Sequence, residues 1–254
     1  MKIATWNVNS LKVRLPQVID WLQTQTPDVL CLQELKMENA AFPEQTLRDA
    51  GYHAYFNGQK TYNGVAILSR LPVTDVHHDI PGYDDPQKRI IAATIDGIRV
   101  ICAYFPNGQA VGSDKFAYKL QWLAALTGWI RQCLTESLPL VLTGDFNIAP
   151  ANEDVSPQWT ENSILVSPQE RQAFQDLIDS GLIDAFRLFP QEAGSFSWWD
   201  YRMGAFRRNF GLRIDHILVS HGLQARCAAC HIDKTPRGLE RPSDHAPVIL
   251  TLSG

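Results

Sequence analysis

Ser243-Asp244-His245-Ala246-Pro247 places a carboxylate beside an imidazole immediately before a last apolar run, Val248 to Leu252. A hydrophobic core has no use for that pair. Three other polar insertions follow apolar runs: Asn7 and Asn9 after Ile3-Ala4-Thr5-Trp6, Gln33-Glu34 after Val29-Leu30-Cys31-Leu32, and Asp145-Phe146-Asn147 after the run from Leu138 to Gly144. Each sets a charged or amide oxygen where a strand should end. Hard cations such as Mg²⁺ take such oxygens, usually one or two carboxylates, with water and a substrate phosphate completing the shell. Singly, Glu34 or Asp145 reads as a turn or helix-cap residue, and Ser-Asp before Pro also suits a turn. Together they read differently, because carboxylates gathered without a cation repel by roughly 4 kcal/mol per close pair at an effective dielectric of about 20. A divalent ion removes that repulsion, so the pattern predicts a metal site that handles phosphate.

The elements that must hold these residues are strands alternating with helices. Several strands follow one another with no helix between, which points away from a simple doubly wound parallel sheet. Ile95-Asp96-Gly97-Ile98 shows this, since Asp-Gly between β-rich runs predicts a tight hairpin. Leu15, Val18, Ile19 and Leu22 form one apolar helical face, with Pro16 expected in the first turn; Phe116, Leu120, Leu123, Leu126, Ile130, Cys133 and Leu134 form a longer one. A third helix is expected after Ser167, with Pro168 at its first position, Glu170 completing a capping box, Phe174, Leu177 and Ile178 on one face and Gly181 as its stop.

The 254 residues, 45% hydrophobic, are enough to bury a sizeable core, and one domain over 1–254 is expected. No long apolar segment and no signal-like start are present, so a soluble cytoplasmic protein without a membrane partner is expected. Cys31, Cys102, Cys133, Cys227 and Cys230 sit mostly in apolar runs and read as reduced thiols; Cys227-Ala-Ala-Cys230-His231 has zinc-like spacing but no second pair to complete a tetrahedron. The formal charge of −4 excludes a protein that is basic all over. A restricted basic face is still open to Lys60, Lys88, Arg89, Lys115, Lys119, Arg202, Arg207, Arg208, Arg213, Arg237 and Arg241, which fall in or near predicted loops.

In order, Trp6-Asn7-Val8-Asn9, Leu32-Gln33-Glu34, Gly64-Val65-Ala66, Tyr104-Phe105-Pro106, Gly144-Asp145-Phe146-Asn147, Phe196-Ser197-Trp198, Gly211-Leu212-Arg213-Ile214-Asp215 and Ser243-Asp244-His245-Ala246-Pro247 resemble the motifs of the exonuclease III family of the endonuclease/exonuclease/phosphatase superfamily. The resemblance spans essentially the whole chain. Ser-Asp-His is shared across the superfamily, whereas Trp198 and the Leu212-Arg213-Ile214-Asp215 run are particular to the nuclease branch. The fold it implies is α/β: two packed β-sheets flanked by helices, a four-layer sandwich with its ligands on loops at one edge.

The resemblance also implies roles. Glu34 would be a principal Mg²⁺ ligand, Mn²⁺ being possible too, with Asn7 and Asp244 near the ion directly or through water. Asp145 would orient or deprotonate the attacking water, Asn147 would hold nucleophile and phosphate, His245 would touch the scissile phosphate, and Tyr104 would be a phosphate-contacting phenol. The metal set then comprises Asn7, Glu34, Asp145, Asn147, Asp244 and His245. Which of Asp145 and His245 is the general base stays open. Asp215 shares a strand face with Ile217 and Val219, so its charge needs a partner; the family pairs it with His245, and a neighbouring Arg is the alternative. Trp198, Leu212 and Ile214 would line a pocket for an extruded abasic sugar, and Arg89, Arg207 and Arg208 would reach DNA phosphates. The aromatics interleaved with cations from Phe196 to Arg213 equally suit a core.

The expected activity is therefore a Mg²⁺-dependent DNA-repair phosphodiesterase on duplex DNA. It would process 3′ ends and nicks as a 3′–5′ exonuclease, incise abasic sites, and act as a monomer. A small-molecule or lipid phosphoesterase would keep the metal motifs without needing the aromatic-basic segment; a noncatalytic DNA-binding module is disfavoured because no proposed catalytic position is lost. One departure stands out. Relatives that incise abasic DNA carry a small residue, then Phe, before the Pro-x-Glu-Arg of the capped helix, where this chain reads Leu165-Val166-Ser167-Pro168-Gln169-Glu170-Arg171. Leu165 either narrows the sugar pocket, biasing the enzyme toward 3′ ends, or simply packs beneath its loop.

Overall fold

In the computed structural model, which describes residues 1–136, 138–160 and 162–254, the chain runs β1 (Lys2–Asn7), α1 (Leu11–Gln25), β2 (Val29–Gln33), α2 (Glu44–Asp49), β3 (His53–Asn57), β4 (Val65–Ser69), β5 (Val73–His78), β6 (Ile90–Ile95), β7 (Ile98–Tyr104), α3 (Asp114–Thr135) and β8 (Leu140–Asp145). It continues through α4 (Pro168–Asp179), β9 (Leu182–Asp184), β10 (Trp198–Trp199), α5 (Ala205–Arg208), β11 (Gly211–Leu212), β12 (Asp215–Ser220), β13 (Cys227–Ile232) and β14 (Val248–Leu252). One six-stranded sheet has the order β13-β14-β1-β2-β4-β3 and the other β5-β6-β7-β8-β12-β9, with β10 and β11 a separate ribbon. Only β1–β2 and β7–β8 pair in parallel, so each sheet is mixed and the four-layer α/β sandwich stands. Among the described residues no helix is long and apolar enough to cross a membrane.

The period of two along each strand assigns its side chains to layers. Ile3 of β1, Val29 and Cys31 of β2, Val100 and Cys102 of β7, Val141 of β8 and Ile217 and Val219 of β12 meet between the sheets. The alternate residues face helices: Ala4, Trp6, Leu30 and Leu32 pack on Val18, Trp21 and Leu22 of α1, while Leu140, Leu142 and Leu218 pack on Trp122, Leu123 and Leu126 of α3 and Leu177 of α4. Extending that count to the strand tips puts Asn7, Gln33, Tyr104, Asp145 and Asp215 on the inter-sheet face, at the one edge where the gap between the sheets opens. The polar insertions are thus the last residues of the inner apolar rows.

Asp96 and Gly97 take φ of 50° and 72° between Ile95 and Ile98, as the predicted hairpin requires. Ser167 accepts from the Glu170 amide, and Glu170 returns the bond to the Ser167 amide. Helix α1 starts earlier than expected. It begins at Leu11, whose amide bonds to Leu35, so Pro16 lies inside it, on the exposed side. A proline there forfeits one helical bond, and water can satisfy the freed carbonyl.

Candidate active site

Strand register brings the tips together. Asp145 of β8 pairs in register with Asp215 of β12 and with Tyr104 of β7, and Asn7 of β1 pairs with Gln33 just before Glu34. Gly144 is required for this approach, because a Cβ there would lie 1.8 Å from the Ala103 carbonyl oxygen. The turns beyond the tips are strained. Asn9, Ser10, Glu34, Lys36 and Asn147 all have positive φ, a conformation that Glu, Ser and Lys rarely adopt and that tends to gather where a site dictates geometry.

Ligand atoms of Glu34, Asp145 and His245 lie within 4.8 Å of one another. Asn7 lies between the acids, its Nδ2 donating to Glu34 Oε1 and Asp145 Oδ2, both at 2.9 Å. Its own oxygen accepts from the Asn9 amide. Tyr104 donates its hydroxyl to Glu34 Oε1 at 3.0 Å. Burial, with Glu34 and Asp145 nearby, holds that phenol well above its ordinary pKa, so it is a neutral donor.

His245 is fixed from both sides. Its Nδ1 faces Asp215 Oδ2 at 2.9 Å and its Nε2 lies 3.7 Å from Asp145 Oδ2. Ser197 Oγ donates to the same Asp215 oxygen and accepts from the Asp215 amide. Burial disfavours the imidazolium, but Asp215 and then Asp145 outweigh it and raise the pKa to about 10. Asp145 is raised to about 7, chiefly by burial; His245 lowers it, and Asp215 raises it. The donor set fits a hard divalent cation: carboxylate oxygens of half-buried Glu34 and buried Asp145 converge, and a bound cation would favour the ionised form of Asp145 that burial, and after it Asp215 and Glu34, disfavour.

Asp244 and Asn147 serve the cluster from its flanks. Asp244 Oδ2 accepts from the Trp198 indole and Oδ1 from Asn9, both at 2.9 Å, so it lies outside the converging set of three. Asn147 donates to the Phe105 carbonyl at 3.0 Å, and its amide nitrogen lies 3.3 Å from Asp145 Oδ2. Its oxygen accepts from Asn107 at 3.1 Å. Sequence reasoning assigns no role to Asn107, which follows the Tyr104-Phe105-Pro106 motif, or to Ser197, which lies within Phe196-Ser197-Trp198. Lys36 pairs with Glu34 Oε2 at 2.9 Å and with Asn9.

Several expected surface cations are not on the surface. Arg89 is 8% exposed behind Tyr104, stacked 4.9 Å from its ring, and its donors are taken by Gln87 and the Tyr104 carbonyl. It supports the phenol rather than reaching a phosphate. Arg213 is buried against Asp154 and Asp184, Lys119 against Glu170, and Arg237 among Phe206, Tyr201 and Trp199. Arg207 and Arg208 are exposed at the end of α5, and Arg208 lies 4.0 Å over Phe210. The Cys227-x-x-Cys230-His231 run is strand β13, with Cys230 turned inward and His231 outward.

Beside Asp244 opens a cleft of about 580 Å³, lined by Trp159, Trp198, Arg202, Met203, Arg208 and Phe210 among others. Met203 is 83% exposed. Leu212 and Ile214, expected to line a pocket, are covered instead. Leu165, at φ 75°, is buried in one apolar cluster with them, together with Val166 and Ala149.

A family model described as Endonuclease/Exonuclease/phosphatase family matches residues 4–245. The chain is 37% identical to Haemophilus influenzae exodeoxyribonuclease III, with 98% of each covered, and 32% identical to the DNA repair nuclease APEX1 of Danio rerio over all of this chain and 82% of that one. Among solved structures, a 3′ phosphatase from Neisseria, NExo, bound to a product DNA hairpin, superposes with a TM-score of 0.97 at 52% identity, and an AP endonuclease from Archaeoglobus fulgidus with 0.96 at 40%, each covering both chains in full.

Proposed function

This chain belongs to the endonuclease/exonuclease/phosphatase family, in its exodeoxyribonuclease III branch, and we propose that residues 1–254 form one catalytic domain acting as a Mg²⁺-dependent DNA-repair phosphodiesterase on duplex DNA. The observation that carries this is the convergence of Glu34, Asp145 and His245 next to a cleft rimmed by Trp198, Arg202 and Arg208. Mg²⁺, or Mn²⁺ in its place, held chiefly by Glu34 with Asp145 and His245 adjacent, would supply Lewis-acid stabilisation of the charge developing on phosphate.

The residues supply the remainder. Asp145 brings a carboxylate oxygen into the converging set, so it takes a proton from the attacking water as the water oxygen bonds to phosphorus. His245 keeps its proton because Asp215 faces its Nδ1, so its Nε2–H is a charged donor to the phosphate. Asn147 orients nucleophile and phosphate, and Tyr104 donates its phenolic hydrogen at the same mouth. The bond from phosphorus to the leaving oxygen then breaks, its electron pair staying on that oxygen, which takes a proton from solvent.

The products depend on Leu165. Because it is buried in one apolar cluster with Leu212 and Ile214, the reading favours 3′-end processing and 3′–5′ trimming at ends and nicks over incision at internal abasic sites. All five cysteines are free, which suits a reducing cytoplasm. The acid cluster and the cleft both come from one chain, which suits a monomer. Turnover should be compared on 3′-phosphorylated nicked duplex, abasic duplex, inositol phosphates and phospholipids, with Mg²⁺ and with chelator. Activity confined to the DNA substrates and lost to chelator is expected; turnover of only the small or lipid phosphates would replace this reading with that of a phosphoesterase. Leu165→Gly should raise abasic incision relative to 3′-phosphate removal, and the positive φ makes glycine acceptable there. An unchanged ratio would leave Leu165 as packing alone.

A further inference from the structure

Directly behind Asn147, α3 and α4 share an ion pair with no exposed atom. Lys119 and Glu170 are both 0% exposed at the side chain. The three protons of the ammonium go to three acceptors: the Asn147 carbonyl at 2.7 Å, the Asn107 carbonyl at 3.2 Å and Glu170 Oε1. Glu170 Oε1 also accepts from the Leu165 amide at 3.1 Å, while Oε2 accepts from the Ser167 amide and, at 2.6 Å, from the Ser167 hydroxyl.

A capping box accounts for the Ser167 bonds alone. A staple between two helices accounts for the charges, yet well-packed apolar residues generally serve that purpose as well as a buried pair does. Neither account explains where the other bonds go. Lys119 holds the backbones of the two asparagines whose side chains meet at 3.1 Å, and Glu170 holds the backbone of Leu165, which is buried in one apolar cluster with Leu212 and Ile214. Both gripped turns are in unfavourable conformations, with φ of 50° at Asn147 and 75° at Leu165, and such conformations persist only where the surroundings over-determine them. The Ala149 amide, bonded to the Leu165 carbonyl at 2.7 Å, ties the same two turns a second time.

We propose that Lys119 and Glu170 are positioning residues that couple the Asn147 amide to the wall formed by Leu165, so that the chemical step and the choice between 3′ ends and abasic sites are set by one buried connection. This rests on the roles given above to Asn147 and Leu165. Breaking the connection should disturb both together while sparing Glu34, Asp145 and His245, none of which the pair bonds to.

The test is the double variant Lys119→Met with Glu170→Gln, which removes both charges at similar volume and keeps an acceptor for the helix cap. It should fold, as judged by circular dichroism and melting. Its single-turnover constant at saturating 3′-phosphorylated DNA should fall by about tenfold or more, the size expected when a reacting group is misplaced by a fraction of an ångström. Affinity for DNA should change little, and the ratio of abasic incision to 3′-phosphate removal should rise. A role confined to stapling the helices lowers the melting temperature and moves neither the constant nor the ratio, and that result in the folded variant would overturn the proposal. Asn147→Ala is measured alongside: if it turns over at the wild-type rate, the reading of Asn147 itself fails, whereas a slow Asn147→Ala beside a wild-type double variant removes only the positioning role. Should the double variant not fold, Glu170→Asp keeps the charge and draws the carboxylate away from Leu165, and the same two readouts decide.

Discussion

Arg213 and Asp215 stand two residues apart, and each belongs to a buried cluster of carboxylates, but the two clusters are balanced differently. Around Arg213 the charges close on themselves. Its guanidinium reaches Asp154 at 2.6 Å and Asp184 at 2.8 Å, Arg187 bonds to Asp154 from the other side, and backbone amides of Ala151 and Phe186 complete the two acids. Around Asp215 they do not. Glu34, Asp145 and Asp215 share the His245 imidazole and, at the rim, Lys36, and Asp145 is left with a raised pKa. Their histidines respond in opposite directions. His216 is pushed down to about 3 by burial and by Arg213, whereas His245 is raised to about 10. A closed network matches each acid to a cation of the fold, and an open one leaves acidic oxygens that the fold itself does not balance.

Asp145→Asn should separate the two most sharply. It keeps shape and removes the proton acceptor, so the single-turnover constant at saturating DNA should fall by about 10²–10⁴-fold with DNA affinity largely retained. Stability should hold or rise, since crowding among the acids is relieved. A wild-type constant in the folded variant would move the base role elsewhere.

Arg213→Met makes the opposite cut. Asp154 and Asp184 would then be buried without their main partner, a defect of about 3–5 kcal/mol. Urea unfolding measures it. The closed network is structural if the loss is of that order and the residual folded enzyme keeps its rate; a loss below 1 kcal/mol would contradict the claim that this cluster carries the fold.

His216 gives the contrast in pH. Its Nε2 bonds to the Ile148 carbonyl, and its Nδ1 lies 3.0 Å from Arg213 Nη1, so the ring is neutral. The folded value of about 3 lies below the unfolded value near 6.5, so the unfolded chain takes up the proton first. The contribution is therefore fully present above pH 6.5 and is lost as pH falls toward 3, with a limiting slope of about 1.4 kcal/mol per pH unit. His216→Gln should make the acid limb of stability shallower by up to that slope. Parallel limbs would mean that His216 titrates normally.

The site was more legible than its supports, for a physical reason. Asn7, Glu34, Asp145 and Asp215 interrupt or directly follow strands whose period of two makes a polar residue on the inner face conspicuous, and the Asp96-Gly97 turn and the Ser167 capping box are local chemistry. What decides the fate of Lys119 and Arg213 is not local. Lys119 and Glu170 are 51 residues apart, and Arg213 and Asp154 are 59 apart, so no window around those cations contains the partner that buries them. Leu165 is a third kind of case. Its identity marks it as unusual, but its left-handed backbone is held by bonds to Glu170 and Ala149 that only the assembled fold supplies.

The smallest effect belongs to the outer rim of the open cluster. Arg207 and Arg208 follow the exposed Arg202-Met203 turn, and among the described residues neither has an acid partner, in contrast to Arg202, which pairs with Asp200. Arg208 lies over Phe210 on the wall of the cleft, which holds its guanidinium in one place. An exposed cation that meets a phosphate releases a counterion from the duplex, so its loss appears mainly as a change in salt dependence. Replacing both arginines by Gln should weaken duplex binding and reduce the slope of log affinity against log salt by roughly one for each lost contact. Mg²⁺ affinity, measured by calorimetry, should be unchanged, because neither side chain approaches Glu34 or Asp145. A reduced slope of one rather than two would assign the contact to a single arginine, expected to be the pre-oriented Arg208, and separate Arg208→Gln and Arg207→Gln variants would show which. Identical slopes for wild type and double variant would put the DNA path on another side of the cleft and leave both as ordinary surface charges.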